Sequence, residues 1–88
     1  MIPHNEKMEL RKFLMNARVK KDEELSTMTE EIMGTIKNHL GQILSLPEGN
    51  PERIKYESRV IQIEAALINR NYGSFRSSAY FVMDLLML

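Results

Sequence analysis

The chain has no cysteine, no tryptophan and no net charge, its 12 basic residues cancelling 12 acidic ones over 88 positions. Without cysteine there is neither a disulfide framework nor a thiolate metal site, so a reducing compartment is the simpler expectation. Without net charge there is no bulk attraction to nucleic acid or to an anionic membrane, and only local patches are left for such contacts. Long apolar runs are missing too. The nearest, Ala79 to Leu88, is about half the ~20 residues that a membrane-spanning helix needs and contains Asp84. Met1-Ile2-Pro3-His4-Asn5 has no basic segment leading into an apolar run, so no classical secretory signal is expected. The expected location is the cytoplasm or a macromolecular particle.

Groups that carry chemistry are equally scarce. His4 and His39 are the only histidines, and neither has a carboxylate or a second histidine at ligand spacing, so no metal is expected. The same scarcity leaves no serine, histidine and acid constellation to support hydrolysis. Gly49 and Gly73 stand alone and fit turns, not a phosphate-binding loop. No enzymatic activity, cofactor or small-molecule substrate is expected.

What the chain does have is helical punctuation. Two of its three prolines crowd with a glycine in Leu46-Pro47-Glu48-Gly49-Asn50-Pro51-Glu52. Pro47 has no N–H to donate and biases Leu46 away from helical angles, so a first helical arm ends there. Asn50 is a strong N-cap and Pro51 suits the first helical position, so a second arm begins there. The expected fold is all-α, with three to four helices on a hairpin closed at Pro47–Pro51. The expectation is a single domain over residues 1–88: an arm over 5–46, a turn over 47–51, a second arm over 51–72 and an apolar C-terminal helix over 74–88.

In the first arm Asn5 is the expected N-cap, with Glu6 and Glu9 at the positive end of the helix dipole. Leu10, Phe13, Leu14 and Ala17 mark one buried face, and Leu25, Met28, Ile32, Ile36, Leu40 and Ile43 continue a stripe at steps of three and four. Met8, Met15 and Val19 sit nearly opposite, which makes the N-terminal helix apolar on two sides. Lys20-Lys21-Asp22-Glu23-Glu24 has no apolar anchor and reads as a solvated helical segment. The alternative is a fresh start at Thr27, since Thr27-Met28-Thr29-Glu30 fits a capping box. Unbroken, the arm spans about 60 Å at ~1.5 Å per residue. Either it breaks, or the molecule is elongated and assembles. Gly34 and Gly41 each cost roughly 1 kcal/mol of helix stability, and their seven-residue spacing points to the close approach of another helix.

The second arm is also two-sided. Ile54, Ile61, Ala65, Ile68 and Tyr72 line one face, and Tyr56, Val60, Ile63 and Leu67 line another. Gly73 reads as its C-cap and Ser74 as the N-cap of the last helix. That helix carries a stripe at Phe75, Ala79, Val82 and Leu86, and it is apolar almost all round, through to Leu85-Leu86-Met87-Leu88. Such a surface needs cover from the fold or from another molecule. The expected protein-contact residues are Phe75, Tyr80, Phe81, Val82, Leu85, Leu86 and Leu88, with Met8, Met15 and Val19 as a second surface.

The second arm resembles, in outline, the needle subunits of bacterial type III secretion systems. The matching features are Asn50-Pro51 at the turn, a helix with Tyr56 and Ser58, the pair Arg70-Asn71, Ser74, and a C-terminal helix with Asp84. The resemblance covers less than half the chain, and the interval from Tyr56 to Arg70 and the Leu-Leu-Met-Leu ending depart from that pattern. Small helical hairpins of tailed-phage particles share the same outline. Both likenesses imply assembly, as the two-faced helices do. The expected function is a non-enzymatic structural or adaptor subunit that contacts itself or another protein, as in a virion or secretion-type assembly. One alternative is a small monomeric regulator that binds and inhibits a cellular enzyme. Another is nucleic-acid binding, with Arg70, Tyr72, Phe75 and Arg76 stacking and clamping a single strand.

Overall fold

The turn forms as its residues dictate. In the computed structural model, which describes residues 2–88, the backbone N–H groups of Glu52 and Arg53 donate to Asn50 Oδ1 at 2.9 and 3.3 Å. Gly49 takes a φ of 86°, which glycine adopts without strain. Arg53 Nη1 donates to the Leu46 carbonyl at 2.7 Å, tying the end of one helix to the start of the next. Among the described residues five helices result: α1 (His4–Arg18), α2 (Asp22–Leu25), α3 (Thr29–Leu44), α4 (Pro51–Ile68) and α5 (Tyr72–Leu86).

The first arm is not one helix. It stops at Arg18, makes the single turn of α2 and restarts at Thr29. Side chains at the α1–α5 contact hold the break. Arg76 Nε donates to the Arg18 carbonyl at 3.1 Å, and its Nη2 donates to the Lys20 carbonyl at 2.7 Å and to Asp22 Oδ1 at 2.8 Å. Arg18 Nε returns the contact by donating to the Arg76 carbonyl at 2.8 Å. One guanidinium thus occupies carbonyls that a continuous helix would use internally. Leu25, fully buried, anchors the detour to the core. The segment expected to be a solvated helix is therefore a corner, and the elongated form is replaced by a body of 36 × 25 × 19 Å.

Several expected caps move. α1 begins at His4 with Pro3, not Asn5, in the cap position, the Pro3 carbonyl accepting from Lys7 N–H at 3.0 Å. Thr27 does not cap α3, because its hydroxyl donates back to the Glu24 carbonyl at 2.8 Å. α4 ends at Ile68, short of residue 72, in a Schellman arrangement. Arg70 N–H donates to the Leu67 carbonyl at 3.2 Å, Asn71 N–H to the Ala66 carbonyl at 2.8 Å, and Arg70 takes a φ of 55°. Asn71, not Ser74, then caps α5 by accepting from Ser74 N–H at 3.1 Å, so Gly73 lies inside the helix. Gly34 and Gly41 meet no other helix: nothing lies within 4 Å of a Cβ placed at either.

Four of the helices form an up-and-down bundle with α2 as part of a connection. Neighbours are antiparallel throughout. Glu9 of α1 reaches His39 of α3, and Lys37 of α3 reaches Glu64 of α4. Tyr56 and Arg59 near the start of α4 meet Leu85 and Phe81 near the end of α5, while Arg18 at the end of α1 meets Arg76 near the start of α5. The ring order is α1, α3, α4, α5, which leaves α1 and α4 on the diagonal. Inside it Leu10, Leu14, Ile32, Ile36, Leu40, Ile63, Phe75 and Val82 are fully buried. Among the described residues no helix is long and apolar enough to cross a membrane.

Truncation after Ala79 removes Val82, Met83 and Leu86, each contributing about 1.5–3 kcal/mol by burial, against a total stability of about 5–13 kcal/mol for a chain of this size. The truncated chain is expected to lose cooperative unfolding by circular dichroism, and a folded product would contradict this packing. In open helical and left-handed positions respectively, Gly34→Ala and Arg70→Gly are each expected to raise stability by about 0.5–1 kcal/mol, read as a higher denaturant midpoint at unchanged slope.

Candidate interaction surfaces

The ten residues expected to make protein contacts separate into three groups. Phe75, Val82 and Leu86 are buried in the chain's own core, because α1 and α4 flank α5 and cover its stripe. They present nothing to a partner in this fold. Leu85 is half-buried against the same core. Tyr80, Phe81 and Leu88 on or just beyond α5, and Met8, Met15 and Val19 on or just beyond α1, are exposed.

Tyr80 and Phe81 are exposed but not bare. The Arg18 guanidinium lies over the Tyr80 ring at 5.1 Å and the Arg59 guanidinium over the Phe81 ring at 4.4 Å. Each such contact contributes about 0.5–1 kcal/mol at an exposed site. These rings are used in joining α5 to its two neighbours.

On α1 the outward face reads Met8, Lys12, Met15, Val19 at steps of four, three and four, which aligns them along one side of a helix. Val19, just past the helix end, is 79 % exposed. Met8 and Met15 bound a shallow pocket of about 350 Å³ shared with Glu9, Arg11 and Lys12. Arg11 Nε is shielded there without a hydrogen-bond acceptor, and among the described residues neither Arg11 nor Lys12 makes an ion pair. Glu9 leans the other way, with Oε2 3.5 Å from His39 Nε2.

On α4 the two apolar faces part company. Tyr56, Val60, Ile63 and Leu67 enter the core, whereas Ile54, Ile61, Ala65 and Ile68 face solvent, with Ser58 between them. The outward line Ile54, Ser58, Ile61, Ala65, Ile68 alternates steps of four and three, the spacing of a coiled-coil seam. It places large residues seven apart and small ones between them. Ile61 at its centre is 59 % exposed, and the line itself carries no charge. Glu57 and Glu64 follow one edge, each part-exposed and held by Arg53 at 3.0 Å and Lys37 at 3.4 Å. Since α1 and α4 are diagonal in the ring, the two stripes lie on opposite sides of the bundle.

The stacking surface proposed around residues 70 to 76 does not assemble. Tyr72 and Phe75 are buried, and Arg76 is committed to Arg18, Lys20 and Asp22. Among the described residues no three histidine, aspartate or glutamate side chains are placed to hold a metal ion. No family model, curated protein or solved structure matches the chain.

A second pocket, of about 310 Å³, lies between Lys7, Glu52, Lys55, Tyr56, Leu85 and Leu88. Tyr56 is buried at its wall, and its hydroxyl donates to the Leu85 carbonyl at 3.2 Å. Burial, with a smaller push from the Glu52 carboxylate, raises the Tyr56 pKa above the ordinary 10.0. The folded chain therefore holds that proton more tightly than the unfolded chain. Its stabilisation is complete below pH ~10 and is lost as pH rises from there through the folded value. Alkaline melting curves are expected to show this loss in the wild type, and Tyr56→Phe is expected to remove this contribution while costing about 1 kcal/mol at neutral pH.

Proposed function

We propose that this chain is a non-enzymatic helical subunit or adaptor that acts through protein–protein contacts. The carrying observation is the pair of aligned apolar stripes on α1 and α4, left in solvent by a bundle whose core is already filled. Scattered surface apolar residues are ordinary and need no explanation. Three exposed isoleucines in heptad register along one helix are not scattered, and their alignment supports a contact surface. The apolar stripe of the C-terminal helix is buried within the chain, whereas Met8, Met15, Ile54, Ile61 and Ile68 stay exposed.

A second reading has its own support. Burial of Phe75, Val82 and Leu86 within one copy gives the chain a core that needs no second copy. A monomeric regulator would use the same stripes to hold one foreign protein. In both readings the outward residues carry function while the core carries only stability.

The chain is expected to sediment above its 10.3 kDa monomer mass at high concentration, or to be recovered from its native cells in fixed ratio with one other protein. Ile61→Glu and Met15→Glu are each expected to weaken the association at least tenfold while leaving the helical circular dichroism unchanged. A chain that stays monomeric and is recovered alone, or whose association ignores both substitutions, would refute the proposal.

A further inference from the structure

The two stripes differ in a way that makes them complements. The α1 face offers a pocket between Met8 and Met15, two unpaired cations at Arg11 and Lys12, and flexible thioether walls that adapt to an apolar knob. The α4 face offers isoleucine knobs at Ile54, Ile61 and Ile68 with small residues, Ser58 and Ala65, between them. Met8 and Met15 are seven residues apart, as are Ser58 and Ala65. Laid together, the methionines fall over the small residues, Ile61 enters the pocket between them, and Lys12 lies at the centre of the seam within reach of the Glu57 and Glu64 edge.

Like-with-like pairing matches less well. Two α1 faces set Lys12 against its own copy when parallel and Arg11 against its own copy when antiparallel. Two α4 faces set Glu57 and Glu64 against each other when antiparallel, and against Gln62 and Asn69 when parallel, and in both cases the α1 pocket stays unfilled. Unlike faces bring the α1 cations to the carboxylate edge of α4.

We propose that this chain self-associates head to tail, the α1 face of one copy docking on the α4 face of the next. This rests on the proposed function above and names the partner as a second copy of the same chain. Because the two faces lie on diagonal helices of the bundle, each docked copy exposes a fresh face, so the contact is heterologous and extends beyond two copies instead of stopping at a symmetric dimer. Two helices of 15 and 18 residues cover an area at or below the low end of the roughly 1,200–2,000 Å² typical of stable complexes. Each joint is therefore weak and reversible.

Covalent capture suits such a joint, and the absence of cysteine makes introduced thiols unique. Met15→Cys and Ile61→Cys chains, each checked for helical circular dichroism, are treated with a short thiol-bridging reagent singly, as an equal mixture, and as the double variant. The expected result is dimer in the mixture at least tenfold above either variant alone, and a ladder of multimers from the double variant. Cross-links in a single variant equal to those in the mixture would overturn head-to-tail docking in favour of a symmetric pair. No cross-link in the mixture of folded chains would overturn self-docking altogether. In that case a foreign protein lost on Ile61→Glu substitution would still support the broader proposal, so the two failures are separable.

Discussion

Phe75, Val82 and Leu86 lie on one stripe of α5, and that stripe can be covered only if α1 and α4 stand on either side of it. α1 reaches that place because the first arm turns a corner after Arg18. The reciprocal donation between Arg18 and Arg76 holds the corner: each Nε donates to the other's backbone carbonyl, at 2.8 and 3.1 Å. The remaining helices pack around that corner. α3 returns alongside α1, the Asn50 cap sends α4 back beside α3, and the Schellman turn at Arg70 returns α5 into the gap. The isoleucine stripe is then left outside because the ring has no fifth long helix to cover it.

The parts of this fold legible in the sequence are those with local causes. Pro47, Gly49, Asn50 and Pro51 define their turn through dihedral limits and a side-chain cap within a few residues. The stripes Leu10-Phe13-Leu14-Ala17 and Phe75-Ala79-Val82-Leu86 are read from spacing alone, and both pack inward. The corner after Arg18 was not legible because the residue that holds it sits 58 residues away on another helix. Nor was the left-handed residue, since Gly73 looks the better candidate while Arg70 takes the position.

The candidate surfaces show a different limit. α4 carries two apolar faces at the same helical period, and periodicity cannot say which one a fold will use. Tyr56, Val60, Ile63 and Leu67 place a bulky apolar side chain at every step of that face, which makes it the better core. The line of isoleucines, interrupted by Ser58 and Ala65, is left for solvent. On α5 an all-round apolar helix invites a partner, yet Phe75, Val82 and Leu86 are consumed inside, and the exposed Tyr80 and Phe81 carry arginines from adjacent helices.

Those two rings are consecutive in the chain, and each is held by a different helix, Tyr80 by Arg18 at the end of α1 and Phe81 by Arg59 on α4. α5 therefore works as a spar between the two outer faces of the bundle. Parting α1 from α5 would break the Arg18–Arg76 exchange and the Tyr80 contact together, because the one Arg18 side chain makes both.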